Sequence, residues 1–293
     1  MKKNNLFSIG SMALVSALAM NFASCGEEPE DNGNGNTGYT SSDQIAASNL
    51  VAKFSFENNV EDAKGNITGG TAMNITYTDG AKGKAYMGSA DGYALFTNVG
   101  AAVTGIQSVT MSTWIKTTNH ADGAESWFQL LNDSNWIGNM FVLQESGATS
   151  DSVRIKFNVN KWDAPAWKEQ WMDLTGDNRL VIGNDNWHHV AITYDAVSSK
   201  AAFYVDGMEK VMPEGVTNRY GDDPTNGGGP LGPLKFKNAT RFVFGCYKQN
   251  LPGNTPDAWM KHFDGGLDEF RIYDKALAAA DVKSLFELEK AGK

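Results

Sequence analysis

Six of the chain's eight tryptophans, Trp127, Trp136, Trp162, Trp167, Trp171 and Trp259, fall in or beside segments that lack a clean strand pattern. A sugar ring has an apolar C–H face and a rim of hydroxyls. An indole face covers the first, and Asn, Asp or Gln side chains answer the second. Trp162-Asp163 and Trp167-Lys168-Glu169-Gln170-Trp171 supply both kinds of group within ten residues. Indoles interleaved with amides and carboxylates are suited to recognition, with no nucleophile required. The candidate binding set is Trp127, Trp136, Trp162, Trp167 and Trp171, with Asp163 and Gln170. The competing reading is that these indoles fill small cores of their own beneath long loops. Trp114 and Trp187 sit on strand patterns and are assigned to the interior.

A second chemistry-bearing run is F-E-N-N-V-E-D-A-K-G-N, residues 56–66, which gathers Glu57, Asn58, Asn59, Glu61, Asp62 and Asn66. Calcium takes 6–8 oxygens from carboxylates, amides and carbonyls, and this turn offers several; it reads equally as a solvated acidic turn. The four histidines give no metal face: His188 and His189 are neighbours on a strand and point to opposite sides, while His120 and His262 are isolated. No G-x-S-x-G, H-E-x-x-H or phosphate-binding glycine loop occurs. Cys246, in R-F-V-F-G-C-Y, is expected beside Phe242 and Phe244 on one strand face, as a small buried hydrophobe.

These residues must be held by strands. Phe54 and Phe56, Tyr93 and Leu95, Met111 to Ile115, Val153 to Val159, Val190 to Tyr194, Phe203 and Val205, and Phe270 and Ile272 all alternate with polar or small neighbours. Short period-two runs punctuated by Gly and Asn predict antiparallel strands, and many of them predict a two-sheet sandwich. One helix is expected at the C-terminus, where Leu277, Val282, Leu285 and Phe286 share a face. Segments 117–140, which has room for a strand among its turn formers, 160–180 and 213–234 exceed what strands need and are expected to supply long loops, where binding usually resides.

The order of three motifs adds to this reading. W-H-H-V-A-I-T-Y-D (Trp187 to Asp195) and A-A-F-Y-V-D-G (Ala201 to Gly207) precede F-D-G-G-L-D-E-F-R-I-Y-D-K-A-L (Phe263 to Leu277). The chain resembles the laminin-G-like/concanavalin A-like lectin/glucanase family over nearly all of its mature length. The resemblance implies an all-β fold: a two-sheet antiparallel jelly-roll sandwich spanning about residues 49–290, with a short C-terminal helix. It implies binding, of glycans above all. Catalytic members with this topology commonly carry Glu-x-Asp-x-x-Glu on one strand, a spacing absent here; Glu57 and Glu61 have the wrong interval. It also implies a structural Ca²⁺ held by Asp62 and Asp268, with an oxygen from the Asn66 region. Glu57 stands where many relatives have Asp.

The N-terminus reads as a processing segment. Lys2 and Lys3 precede a short apolar stretch, Leu6 to Phe22, and then N-F-A-S-C. The stretch is too short and interrupted for a membrane span, so residues 1–24 are expected to be a signal peptide. The small residues before Cys25 resemble a bacterial lipoprotein signal, with Cys25 lipidated. Residues 25–48, acidic and Gly/Asn-rich, are expected to be a flexible tether. Acidic residues directly after the cysteine resemble the surface-export signal of some anaerobic Gram-negative bacteria, which implies the outer face of the outer membrane. The formal charge of −9, from 25 basic and 34 acidic residues, becomes −11 without Lys2 and Lys3. That balance excludes nucleic acid and anionic lipid as partners, leaving the N-terminal lipid as the membrane contact. The expected function is non-catalytic carbohydrate binding by a surface lipoprotein. The alternatives are a protein-interaction or adhesion module of a surface uptake complex, and an unconventional glycoside hydrolase.

Overall fold

Each alternating run has one apolar side to bury, and the runs satisfy this by pairing into two sheets packed face to face. The computed structural model describes residues 38–120, 122–145, 151–223, 225 and 228–293. The expected signal peptide and Cys25 lie outside the described residues. The first sheet holds β1 (Leu50–Phe54), β3 (Thr76–Asp79), β4 (Lys84–Met87), β6 (Val109–Thr118), β12 (Asn184–Asp195), β13 (Lys200–Val205), β14 (Met208–Lys210) and β17 (Gly266–Tyr273). Its order is β14-β13-β12-β6-β17-β4-β3, with β1 also paired to β17. The second holds β2 (Ile67–Met73), β5 (Tyr93–Val99), β7 (Ala124–Asn132), β8 (Asn135–Glu145), β9 (Ser152–Asp163), β10 (Ala166–Leu174), β11 (Leu180–Val181), β15 (Phe242–Phe244) and β16 (Met260–His262). Its order is β10-β9-β8-β7-β15-β5-β2, with β11 on β9 and β16 lying parallel to β7. All other pairings within the two sheets are antiparallel. This is the two-sheet sandwich the sequence predicts.

The inner faces meet in an aromatic core. Phe54, Phe96, Phe242, Phe244 and Phe270 are at most 1 % exposed, and Phe244 lies edge-on to Phe270 with ring centroids 4.8 Å apart. Burying each such ring contributes about 1.5–3 kcal/mol, so this cluster clamps the two sheets. Among the described residues the α-helical pieces are α1 (Ala101–Thr104), α2 (Glu214–Thr217) and α3 (Ala279–Lys290). The C-terminal helix α3 packs on the outer face of the first sheet: Val282 and Leu285 join Tyr204 and Tyr273 in one apolar cluster.

The structure corrects four expectations. Most of 117–140 is strand, since β7 and β8 form a hairpin there that turns at Asp133 and Ser134. Residues 160–180 are not a loop. Strands β9 and β10 form a hairpin from Ser152 to Leu174, closed at Asp163–Ala166 around a cis Ala164–Pro165 bond. Three indoles and scattered charges hide its alternation from an apolar pattern count. Folded structure also begins before residue 49. Ser41 and Gln44 make a capping box, Ile45 and Ala46 are buried against α3's cluster, and Ser42 donates from N and Oγ to the Lys293 carbonyl. Cys246 is buried, but it joins Leu131, Val243 and Leu251 rather than Phe242 and Phe244. Gly245, at φ 82°, breaks the strand's phase just before it. Burial pushes the Cys246 thiol far up, so it is an inert core group.

Candidate functional site

Alternation along β9 and β10 decides which side chains leave the core. Val153, Ile155, Phe157, Val159, Met172 and Leu174 point inward. Their neighbours therefore point out from the second sheet, in cross-strand pairs: Lys156 with Asp173, Asn158 with Trp171, Asn160 with Glu169, and Trp162 with Trp167. On β8, Phe141 and Leu143 continue the same face, opposite Asn158 and Lys156. This outer face is an aromatic and amide surface.

The segment after β15 folds back across it. Tyr247 is fully buried, and Trp259 leads into β16, which pairs with the start of β7. Gln129 on β7 fixes the arrangement. Its Nε2 donates to the carbonyls of Trp136 (2.7 Å) and Ile137 (3.0 Å), and its Oε1 accepts from Lys248 N at 2.8 Å. One buried amide thus ties the start of β8 and the returning segment to the sheet. Gly123, at φ +72°, lets the chain pass Trp259: a Cβ there would sit 2.4 Å from the Trp259 carbonyl oxygen.

The result is an open cavity of about 280 Å³ walled by Trp136, Trp171 and Trp259, with Leu143, Glu145 and Lys156 completing the rim. Trp136 and Trp259 are 37 % and 39 % exposed and meet edge to face at 6.0 Å. Trp259 rests on Tyr247 at 5.6 Å, and Trp171 on Phe141 at 5.3 Å. Glu145 and Lys156 form an ion pair with each other, and Arg154 forks onto Asp173 beside them. A cavity with three indole walls and already paired charges can stack apolar ring faces and hydrogen-bond their substituents.

The predicted binding residues divide as follows. Trp136 and Trp171 line this cavity. Trp162 and Trp167 form a second aromatic station on the same sheet face, with centroids 4.9 Å apart and Lys237 Nζ 3.3 Å from the Trp162 ring centre. Trp171 and Trp167 are four residues apart on one strand, roughly 13 Å, so the two stations share one platform. Asp163 is exposed at the hairpin turn. Two residues are corrected. Trp127 is 1 % exposed and turned into the core, its Nε1 donating to Gln144 at 3.3 Å. The register slips between Ser126 and Phe128, and Trp127 is the extra residue, so a bulge inverts the side its position suggests. Gln170 alternates to the face opposite the indoles, 8 % exposed, and donates to the Tyr220 carbonyl. The site is therefore built on strands and one returning segment. Sequence reasoning passed over Asn158, Glu145, Lys156 and Tyr247. The polar row Lys156, Asn158, Asn160 along an otherwise apolar strand was the available signal for the first.

The residues implied for calcium are arranged for other work. Asp62 accepts four backbone N–H groups: Lys53 and Lys64 on Oδ1, Asn66 and Ile67 on Oδ2, all at 2.8–2.9 Å. That uses all of the roughly four lone-pair positions a carboxylate has. Asn66 donates its Nδ2 to the Val51 carbonyl. Asp268 is buried and accepts from Glu269 N and Lys82 N. Burial pushes its carboxyl up to about 8, with Glu269 and Glu289 adding to the rise and the two N–H donors opposing it. No group of three or more His, Cys, Asp or Glu able to hold a metal occurs among the described residues. Asp62, Asn66 and Asp268 do not fit a calcium site in this arrangement.

A second cavity, about 410 Å³, adjoins the first across β16 and is lined by His120, Glu125, His262 and Asp264 among others. Burial pushes Glu125 up to about 7. His120 Nε2 stands 3.8 Å from its carboxylate.

Solved structures share this architecture at low identity. The binding domain of botulinum neurotoxin serotype D superposes with a TM-score of 0.54 at 14 % identity, covering 82 % of this chain and 51 % of that one. The binding domain of botulinum neurotoxin DC, solved in complex with rat synaptotagmin II, gives 0.55 at 16 %, covering 84 % and 52 %. The binding domain of Paraclostridial Mosquitocidal Protein 1 gives 0.50 at 16 %, covering 82 % and 52 %. The chain spans about half the length of each. No curated protein matches it by sequence. A family model does, over residues 88–243, more than half of the chain, and with the sandwich described above it shows that this protein belongs to the concanavalin A-like lectin/glucanases superfamily.

Proposed function

We propose that this protein is a non-catalytic carbohydrate-binding module, and that the outer face of its second sheet takes the glycan. The observation that carries this is the convergence of Trp136, Trp171 and Trp259 on one open cavity whose charged rim residues pair with each other. Such a surface stacks sugar rings and holds no nucleophile. The Trp162–Trp167 pair further along β9 and β10 extends it. The N-terminal sequence supports a lipid-anchored protein of the outer membrane, displayed at the cell surface. Calcium has no part in the recognition.

The test is a glycan array on the purified protein, followed by titration of its best ligand into single alanine variants. Trp171→Ala and Trp136→Ala are expected to weaken binding by roughly tenfold or more, as losses of central aromatic contacts do. Full affinity in both variants removes the site. Array silence together with capture of one defined surface protein from intact cells favours the interaction-module reading instead. Release of reducing sugar by the purified protein would require a hydrolytic site.

A further inference from the structure

Asn158 is the anomaly on the sheet face. It is 0 % exposed, yet neither its Nδ2 nor its Oδ1 has a hydrogen-bond partner. A buried amide left unpaired costs folding free energy, and a native fold seldom retains one without a use. The geometry shows what covers it. Asn158 sits on β9 between Phe141 on β8 and Trp171 on β10. Strands two apart lie roughly 9.5 Å from each other, yet these rings are 5.3 Å apart, centre to centre. They lean together over the amide. Trp171 is on the sheet's edge strand, half-buried and held by one long 3.4 Å bond from its Nε1 to the exposed Glu169, so it is the ring that can move. Tyr247, in the same apolar cluster, also has an unpartnered, buried hydroxyl.

Resting on the carbohydrate-binding reading, we infer that Asn158 is a ligand-contacting, specificity-determining residue, uncovered when Trp171 swings off Phe141, and that the ligand is a neutral glycan. The charge argument is direct. Glu145 and Lys156 neutralise each other, as do Arg154 and Asp173, and Asp122 and Lys261. These pairs balance, and the exposed Glu169 carboxylate beside Trp171, which accepts from its indole Nε1 at 3.4 Å, disfavours an anionic sugar. The hydrogen-bond inventory agrees. An amide offers two donors and an acceptor, and a phenol offers one donor and accepts. Neighbouring sugar hydroxyls, which both donate and accept, match that set. A carboxylate lacks the donors and an ammonium lacks the acceptors.

The experiment is calorimetric titration of the wild type, Asn158→Leu, Asn158→Ala, Trp136→Ala and Trp171→Ala. The probes are neutral trisaccharides (cellotriose, xylotriose, arabinotriose, mannotriose), trigalacturonate and the glucosamine trisaccharide, with melting temperature measured in parallel. The wild type is expected to prefer a neutral trisaccharide. Asn158→Leu should weaken it roughly tenfold or more while melting no lower than wild type, because an unpaired amide has been replaced by an apolar group. Asn158→Ala, smaller than either, should lose affinity in the same way if leucine does not fit. A monodeoxy analogue of the best trisaccharide, lacking the hydroxyl that meets the amide, should bind wild type and Asn158→Leu alike. Unchanged affinity in the Asn158 variants, with loss in the tryptophan variants, overturns this inference alone: the amide then faces only trapped water. Tighter binding of either charged trisaccharide overturns the neutral-ligand assignment. Indifference of every variant overturns the binding face itself.

Discussion

At the scale of single residues, Asp62 shows how a carboxylate can organise a turn without a metal. Its two oxygens gather the N–H groups of Lys53, Lys64, Asn66 and Ile67, tying the acidic turn to β1 and to the start of β2. Asp62→Ala strands those donors and is expected to destabilise the protein by roughly 3 kcal/mol, since hydrogen bonds to a charged acceptor contribute about 1.5–3 kcal/mol each and water replaces part of the loss. Urea unfolding reads this. Incubation with EDTA should leave the melting temperature unchanged, and a drop on chelation, restored by Ca²⁺, would contradict the fit described for these residues. Trp136, Trp162, Trp167 and Trp171 all leave the core, whereas Trp127 enters it through a bulge that no composition rule announces. Asn158 was passed over because its meaning lies in what it lacks, which only neighbouring strands can show.

At the scale of elements, the two outer faces are treated differently. The first sheet's is sealed by α3 and the 38–46 segment around a buried ionic network. Arg271 donates from Nε to Glu289 Oε1 (2.8 Å), from Nη1 to Asp43 (2.8 Å) and from Nη2 to Glu269 (2.7 Å) and to Ser42 Oγ (3.0 Å). Trp114 Nε1 donates to Glu289 Oε2 at 2.8 Å. Glu289→Ala leaves Arg271 buried without its helix partner, and a loss of about 3–5 kcal/mol is expected from denaturant titration, the range for breaking a buried pair on one side. Buried acids in both sheets set a pH response. Burial holds Asp268 near 8, Glu289 near 7 against the pull of Arg271, and Glu125 near 7. In the unfolded chain these carboxyls release their protons near pH 4. The folded state therefore binds more protons from about pH 4 to 8, and stability falls with rising pH through that window. Buried His189, held down near 3, and His120, also lowered by burial, act the other way, an effect that fades as pH passes the unfolded value of about 6.5. From about pH 7 to 8 the carboxyls dominate, so the urea midpoint should decline across that interval, with a shallower slope in Asp268→Asn. A rising midpoint would contradict the assignment. Sequence patterning placed α3 and the strands β1, β5, β6, β9, β12, β13, β15 and β17, because their apolar periods are clean. It took the end of β9 and all of β10 for loop because the outward residues there are indoles and charges, which satisfy neither an apolar nor a polar template.

At the scale of the whole molecule, sealing one face leaves the other as the working surface. The second sheet is crossed by the 245–262 segment, which stops short of β9 and β10 and leaves indoles at the boundary. The architecture was legible in the order of three short motifs; the location of the site was not, because strand order sets it. β8, β9 and β10 follow one another in sequence, but Trp259 reaches them only through the parallel pairing of β16 with β7. The eight indole N–H groups make the most direct test. In ¹⁵N-resolved spectra of the protein titrated with its best array glycan, the Nε1–H signals of Trp136, Trp171 and Trp259 are predicted to shift in a saturable way. Those of buried Trp114 and Trp127 are predicted to stay in place. Saturable binding that leaves the first three unmoved, or moves Trp114 under α3 instead, would contradict the claim that this sheet face holds the sugar.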